Sequence, residues 1–206
     1  MSCLTLRSFG SLSFCAAALT ITAAASTASA DIVSYDVVFS GPAESPPNAS
    51  PGTGVGTVTY DSTLHTLTLS CVFSDLLGTT TNSHIHAATA VPFAGLAGVA
   101  TTTPTFAGFP TGVTSGTYNM VLDLTLASSY NPAYVTANGG TPASAEAALT
   151  ASFAAGTAYW NIHSSLFQGG EIRGFLTPVP SPGSAVLAAV GLGALAFGRR
   201  TRPTQV

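Results

Sequence analysis

Hydrophobic residues recur at every second position along much of the chain, a period that is typical of half-buried β-strands. The clearest case is one segment in which Leu67, Leu69, Cys71 and Phe73 share a face. Short strands recurring every 10 to 15 residues or so indicate an antiparallel sandwich or barrel. The predicted strands cover residues 35–40, 54–60, 64–73, 83–87, 117–126, 158–164 and 170–176.

Three segments interrupt this pattern. Residues 42–52 are rich in Pro, Ser and Gly and predict a loop, and residues 61–63 predict a hairpin turn between two strands. Residues 129–156 are rich in alanine and predict helix. Within them, Thr141-Pro142 offers a capping residue followed by a proline at the first helical position, and Gly156 offers an end. The pattern as a whole therefore predicts a mainly β domain with a short helical insertion.

The first 30 residues have the composition of a secretory signal peptide. Arg7 precedes an apolar stretch from Phe14 to Ala25, and Ala28-Ser-Ala30 is a small-residue cleavage site. The apolar stretch is short and is diluted by Ser and Thr, which disfavours a transmembrane anchor. We therefore expect residues 1–30 to be removed after Ala30 during export.

Residues 177–206 have a different composition again. Val179-Pro-Ser-Pro182 is followed by an apolar run, Ala185 to Phe197, and then by three arginines. The run of about 13 residues is shorter than the roughly 20 that cross a bilayer. The segment resembles the PEP-CTERM sorting signal of Gram-negative bacteria, with Ser181 at the usual Glu position. That resemblance implies transient anchoring in the inner membrane and cleavage by an exosortase-type enzyme. An ordinary short C-terminal anchor is the alternative.

The intervening segment, residues 31–176, has about 146 residues, enough for one hydrophobic core. It contains all eight acidic residues of the chain and a single Lys or Arg, Arg173. This acidic balance disfavours nucleic-acid binding, which needs a basic surface. Cys71 is its only cysteine, so no disulfide forms within this segment, and we expect a buried, unreactive thiol.

Three motifs in this segment occur together. They are Gly41-Pro-Ala-Glu-Ser-Pro-Pro47, Ser83-His-Ile-His86, and Tyr159-Trp-Asn-Ile-His163 followed by Gly169-Gly-Glu-Ile-Arg-Gly174. In this order they resemble the CHRD domain, first described in chordin and common in exported bacterial proteins. One departure is Ser83, where the family usually has Ala. The resemblance runs from about Tyr35 to Leu176, essentially the whole of the domain at residues 31–176. It implies an antiparallel β-sandwich, immunoglobulin-like or superoxide-dismutase-like, without an established activity.

The histidines in these motifs suggest a metal site. His84 and His86 flank Ile85, so both imidazoles leave the same face of a strand and form half of a chelating site. His163 lies on a comparable polar stripe with Tyr159 and Asn161. Imidazole nitrogens suit zinc and copper, which makes His84, His86 and His163 candidate ligands. The remaining histidine, His65, is expected to be exposed on the hairpin.

A hydrogen-bonded cluster without metal is the competing interpretation. In that case the histidines bond to backbone or water, and Glu171 pairs with Arg173 on the same strand face. Glu44 is the longer-range candidate partner for Arg173. A lone arginine in an acidic domain needs a carboxylate if it is buried. Glu44, Asn161, Glu171 and Arg173 are therefore predicted to form a structural polar cluster.

Two functions remain open from the sequence. The first is an exported, non-catalytic module of the cell surface or extracellular matrix that binds an unidentified surface component. The second is a small metalloenzyme, because a His-x-His pair on a sandwich strand is similar to copper/zinc superoxide dismutase. That enzyme uses more imidazole ligands than this domain supplies, together with an aspartate ligand. This difference favours the first function.

Overall fold

A curled, mostly antiparallel β-sheet forms the fold. The structure is a computed structural model that describes residues 32–180, so the predicted signal peptide, the Ala30 cleavage site and the apolar run with its arginines lie outside the described residues. In chain order the elements are β1 (Ile32–Ser40), β2 (Thr53–Asp61), β3 (Thr66–Ser74), β4 (Thr80–His86), β5 (Gly116–Asp123), a 3-10 turn (Ala127–Ser129), α1 (Pro132–Ala137), α2 (Pro142–Ala154), β6 (Tyr159–Ser164), β7 (Ile172–Phe175) and β8 (Thr177–Pro178).

The strands follow the order β4-β6-β7-β1-β2-β3-β5, with β8 paired to β1, and every pairing is antiparallel. The sheet curls into a half-barrel, and the fold is consistent with a β-sandwich. The predicted mainly β architecture with a short helical insertion is therefore confirmed. The order also places β4 and β6, which contain the three candidate histidine ligands, next to each other.

Alternating burial shows which face of each strand lines the core. Leu67, Leu69, Cys71 and Phe73 of β3 are all buried, as their spacing predicts, and Cys71 has the buried thiol expected for it. Across the core lies Trp160 of β6, whose ring centre is 5.4 Å from that of Phe39 and 5.9 Å from that of Phe106, both in edge-on contacts. These contacts place the apolar face of β6 on the core and its polar face on the opposite side.

The hairpin between β2 and β3 is longer than predicted. Oδ1 of Asp61 accepts hydrogen bonds from the backbone N–H groups of Thr63 (2.8 Å) and Leu64 (2.9 Å). His65 has a positive φ of 52°, which a strand residue does not adopt. Residues 62–65 therefore form the turn, and β3 begins at Thr66 rather than at residue 64. The prediction that His65 is exposed is confirmed, because about half of its side-chain surface is accessible.

Helix α2 begins and ends at the capping residues that the sequence predicts. The hydroxyl of Thr141 accepts a hydrogen bond from the Ser144 amide, the Ser144 side chain bonds back to Thr141, and Pro142 is the first helical residue of α2. Gly156 follows the helix with a φ of +67°, a conformation that favours glycine. The prediction of helix across residues 129–156 did not resolve the break between α1 and α2.

Several other strand boundaries also differ from the prediction, and β1 begins at Ile32, three residues before the predicted start. Strand β4 begins at Thr80, three residues early, and β5 ends at Asp123, where the Asp123 carboxylate caps a turn through the Thr125 amide. Strand β7 begins at Ile172 instead of residue 170, because Gly170 has a φ of +131° and turns the chain. Within residues 32–180, none of the helices has the length and apolar character needed to cross a membrane.

Candidate metal centre

The pairing of β4 with β6 builds one polar face from both strands. Directly opposed residues of an antiparallel pair share a face. Each opposed pair on this face joins one imidazole to another side chain able to form hydrogen bonds. The opposed pairs are Asn82 with His163, His84 with Asn161, and His86 with Tyr159. The sequence predicted the two stripes separately, and this register brings them together.

The three histidines form a compact cluster. The ring centre of His84 lies 5.7 Å from that of His86 and 5.2 Å from that of His163, and the His86 and His163 ring centres are 6.0 Å apart. Each residue offers one ligand nitrogen, and these three nitrogens all lie within 4.8 Å of one another. All three side chains are buried. The geometry thus brings together the residues that the sequence singled out as candidate ligands.

A backbone carbonyl holds each ring in place. His84 Nε2 donates to the carbonyl of Pro104, His86 Nδ1 donates to that of Ala97 at 2.9 Å, and His163 Nδ1 donates to that of Gln168 at 2.8 Å. A carbonyl only accepts hydrogen bonds, so each of these nitrogens must bear the proton. The other ring nitrogen of each neutral imidazole then presents a lone pair. This arrangement is the one found around metal-bound histidines, whose second nitrogen is usually anchored.

The lone-pair nitrogens are buried without a partner. Across residues 32–180, the buried side-chain atoms that lack a hydrogen-bond partner are His84 Nδ1, His86 Nε2, His163 Nε2, Asn82 Oδ1 and Asn161 Oδ1. All five belong to the shared face of β4 and β6. Buried polar atoms are normally satisfied, so a concentration of five unsatisfied acceptors on one face calls for a donor or a cation.

The histidines are held in the neutral form that metal binding requires. Burial lowers the pKa of His84 and of His163, and it lowers the pKa of His86 to about 4. The hydrogen bonds to carbonyls raise these pKa values, but burial outweighs them. Because a metal ion binds the neutral imidazole, the site is prepared for an ion at neutral pH.

Tyr159 and Arg173 extend the site on the His86 side. The rings of Tyr159 and His86 are stacked, with centres 4.8 Å apart and planes 8° from parallel. The guanidinium carbon of Arg173 lies 4.5 Å from the centre of the Tyr159 ring, on its face. Tyr159 therefore separates the Arg173 charge from the imidazole cluster, and that charge lowers the pKa of His86 further.

Of the two predicted carboxylate partners of Arg173, the structure places Glu44 beside it. Arg173 Nε lies 3.8 Å from Oε2 of Glu44 and donates to the carbonyl of Ala43, and both charged side chains are buried. The other Glu44 oxygen, Oε1, accepts a hydrogen bond of 2.9 Å from Asn161 Nδ2. Burial raises the pKa of Glu44 to about 7, although the charge of Arg173 lowers it. Glu44, Asn161 and Arg173 thus form one connected network behind the histidines.

The predicted pairing of Glu171 with Arg173 is wrong. Glu171 precedes β7, and its carboxylate accepts hydrogen bonds from Ser50 Oγ (2.6 Å) and from the amides of Leu77 (2.5 Å) and Gly78 (3.1 Å). Burial alone raises the pKa of Glu171, but these hydrogen bonds outweigh it and hold that pKa below its usual value. The sequence did not reveal this, because it placed Glu171 two positions from Arg173 on one continuous strand, whereas the turn at Gly170 comes first.

One known domain family matches this chain. A family model of the CHRD domain matches residues 35–176. The chain belongs to the CHRD family. Comparisons with curated proteins and with solved structures give no match. CHRD domains are typically extracellular or periplasmic, and membership supports a non-catalytic module of that kind. The resemblance predicted from the three motifs is confirmed, and the PEP-CTERM resemblance stays a prediction.

Several features of this CHRD site were not predicted from the sequence. The anchoring carbonyls of Ala97, Pro104 and Gln168 lie in irregular segments, where periodicity gives no signal. The indole N–H of Trp160 donates to Ser83 Oγ at 2.7 Å, which gives a role to the serine that departs from the family motif. The position of Asn82 next to a histidine follows only from the register of β4 and β6.

Proposed function

We propose that this CHRD domain binds one transition-metal ion, zinc or copper, through His84, His86 and His163. The observation that supports the proposal is the set of three buried imidazoles, each fixed by a carbonyl, each with an unpartnered nitrogen, and each offering a ligand nitrogen within 4.8 Å of the other two. Buried polar atoms are normally satisfied, and within the described part of the chain no protein group satisfies these three nitrogens.

The donor set favours zinc or copper over harder ions. Three neutral nitrogens suit borderline metals, whereas magnesium and calcium prefer oxygen ligands. Nitrogens bound to tetrahedral zinc at about 2.0–2.1 Å lie about 3.3 Å apart. The present nitrogens are within 4.8 Å of one another, so the ion would draw the rings inward. Three protein ligands leave a fourth position for water or another group.

The function we infer for the bound ion is structural or ligand-binding. A dismutase-type site uses more imidazoles than three, and the fourth histidine of the chain, His65, contacts Glu146 at 2.9 Å instead of the cluster. The proposal therefore retains the exported, non-catalytic module as the primary function. Its partner is a surface or matrix component, with the metal site either bracing the domain or contributing to that contact.

Calorimetric titration with zinc and with copper(II) tests this function. The full chain is purified without a histidine tag, stripped with chelator and titrated at pH 7.5. We expect one site per chain, and loss of that site in His163→Ala. The matched control is His65→Ala, which removes the exposed histidine outside the cluster and is expected to bind as the wild type does. Equal binding by wild type and His163→Ala, or none by the wild type, would leave the hydrogen-bonded cluster as the surviving account.

We further propose that the protein is exported and sorted to the cell surface. The terminal segments support this, because residues 1–30 resemble a signal peptide and residues 177–206 resemble a PEP-CTERM signal processed by an exosortase-type enzyme. Intact-mass measurement of protein isolated from the native host is expected to show cleavage after Ala30 and loss of the arginine cluster. A mature species that retains both Met1 and Val206 would exclude this sorting route.

A further inference from the structure

Two amide oxygens complete the set of unpartnered acceptors on the β4–β6 face. Asn82 Oδ1 and Asn161 Oδ1 are buried and lack a hydrogen-bond partner within residues 32–180, as do the three imidazole nitrogens beside them. Asn161 lies directly opposite His84, and Asn82 lies directly opposite His163. The site therefore contains two neutral amide oxygens that can bind a metal ion, in addition to the imidazole nitrogens.

The orientation of the Asn161 amide is fixed by its neighbours. Asn161 Nδ2 donates to Glu44 Oε1 at 2.9 Å, and above about pH 7 Glu44 is mainly ionised, so that its oxygens only accept hydrogen bonds. The amide nitrogen must therefore face Glu44, and Oδ1 must face away from it. Asn161 is 2% exposed, so Oδ1 does not reach bulk water. No neighbour fixes the Asn82 amide in the same way, because its side chain makes no hydrogen bond within residues 32–180.

Glu44, which orients the Asn161 amide, is itself paired with Arg173. Glu44 is buried and lies 3.8 Å from Arg173 Nε. Arg173 in turn donates to the carbonyls of Ala43 and Gly95 and lies over the ring of Tyr159. The space around the amide is also closed, since a Cβ at Gly170 would come within 2.2 Å of Asn161 Nδ2 and within 2.6 Å of Glu44 Oε1. A glycine at this position lets Glu44 and Asn161 approach each other.

We propose that Asn161 Oδ1 supplies the fourth polar group of the metal centre, binding the ion or the water on it, and that Glu44 and Arg173 are the positioning residues. This inference rests on the proposed function. It accounts for a buried chain of contacts: Arg173 lies beside Glu44, Glu44 accepts a hydrogen bond from the Asn161 amide, and Asn161 lies directly opposite His84 on the shared face. Groups that orient metal ligands or bound water contribute to affinity in this way.

Zinc titration of paired variants tests the role of Asn161. Asn161→Ala is expected to raise the zinc Kd about 10-fold or more, whereas His65→Ala, outside the site, should stay within about 3-fold of the wild type. Asn82→Ala tests the other unpartnered amide oxygen. Circular dichroism confirms that each variant is folded. A zinc Kd for folded Asn161→Ala within about 3-fold of the wild type, or a loss confined to Asn82→Ala, would overturn the proposal. If His163→Ala still loses the site in that experiment, the proposed function survives and only this inference fails.

A measurement on the wild type covers the case in which Asn161→Ala does not fold. In proton–nitrogen NMR spectra, the side-chain amide signals of Asn161 are expected to shift on addition of one equivalent of zinc. Unchanged Asn161 signals alongside shifted histidine signals would overturn the proposal.

The positioning role of Glu44 has its own test, the visible absorption of cobalt(II) bound in place of zinc, which reports coordination geometry. Glu44→Gln is expected to change that spectrum, because a glutamine can turn its own amide toward Asn161. Glu171→Gln removes a buried carboxylate that does not contact Asn161 and should leave the spectrum unchanged. Identical spectra for the wild type and Glu44→Gln, or equal changes in both variants, would remove the positioning role.

Discussion

Arg173 joins three separate parts of the chain through a single side chain. Its Nη1 donates to the carbonyl of Gly95 at 2.9 Å, its Nε donates to that of Ala43, and its guanidinium lies over Tyr159. It is 3% exposed and lies 3.8 Å from a buried carboxylate of Glu44. Removing one partner of a buried ion pair leaves the other charge without compensation, which is more costly than the pair is worth.

Replacing Arg173 with Met should therefore lower the free energy of unfolding by about 3 kcal/mol at pH 8, where Glu44 is mainly ionised. Methionine keeps much of the side-chain volume but supplies neither the charge nor the two donors. Urea denaturation followed by circular dichroism measures the change. A difference of less than about 0.5 kcal/mol would mean that the pair contributes as little as an exposed one does.

Glu44 adds a pH dependence of a definite sign. Its pKa in the folded state, about 7, lies above the ordinary value of 4.5, with burial as the main cause and Arg173 opposing it. The folded protein therefore binds this proton more tightly than the unfolded chain does. The corresponding stability is complete below about pH 4.5 and is lost as the pH rises through 7.

A permanently neutral side chain at this position isolates that effect. Between pH 5 and 8, wild-type stability should fall by about 2 kcal/mol relative to Glu44→Gln, since each unit of pKa shift corresponds to about 1.4 kcal/mol. Urea denaturation of both proteins at four pH values gives the difference in unfolding free energy. The histidines titrate in both proteins, so their contribution cancels in this difference. A difference that is constant across this range would contradict the raised pKa.

At the scale of elements, the β4–β6 pair is fastened by a contact between its strands. The Trp160 indole N–H donates to Ser83 Oγ at 2.7 Å, and Ser83 Oγ donates to the carbonyl of Asn161 at 2.8 Å. Both side chains are fully buried. One hydroxyl thus satisfies the only tryptophan of the chain and a backbone carbonyl beside the histidine cluster.

Ser83→Ala should cost about 1–3 kcal/mol of unfolding free energy, because the buried indole N–H loses its acceptor. Tryptophan fluorescence follows unfolding cleanly, since Trp160 is the only source of the signal. Zinc affinity should change little, as the hydroxyl faces the core and not the histidines. A variant as stable as the wild type would show that another acceptor replaces Ser83 Oγ.

The elements also show how far sequence patterns reach. The alternation of apolar and polar residues identified β3 and its buried face, because one face of the strand packs on the core and the other is more exposed. It missed the start of β3, where Asp61 and the positive φ of His65 lengthen the turn. It also misassigned Glu171, because the turn at Gly170 breaks the strand on which the pairing with Arg173 depended.

The site was predictable as a set of residues and unpredictable as a network. Same-face spacing placed His84 with His86, and the polar stripe of Tyr159, Asn161 and His163 supplied the third imidazole on the condition that the two strands are neighbours. The register of β4 against β6, which opposes Asn161 to His84, depends on tertiary packing and leaves no local signal. The same holds for the carbonyls of Ala97 and Gln168, which anchor rings from irregular segments.

At the scale of the whole molecule, the proposed metal centre joins segments that are distant in the chain. Its ligands come from β4 and β6, and their anchoring carbonyls come from residues 97, 104 and 168. An ion that binds only when these segments are in place binds the folded state and not the unfolded chain. It must therefore raise the stability of the domain by linkage, and the increase depends on free metal concentration.

Zinc at 100 times its Kd should add about 2.7 kcal/mol to the free energy of unfolding. For a chain of this size, that corresponds to a rise of about 5–10 °C in the melting temperature. Calorimetric melting of the chelator-stripped chain, with and without zinc, measures the shift, and His65→Ala should show the same rise. His163→Ala should melt at one temperature in both conditions, because the unfolded chain and the incomplete site then differ little in affinity. An equal rise in His163→Ala would place the bound zinc elsewhere on the molecule and contradict the centre at His84, His86 and His163.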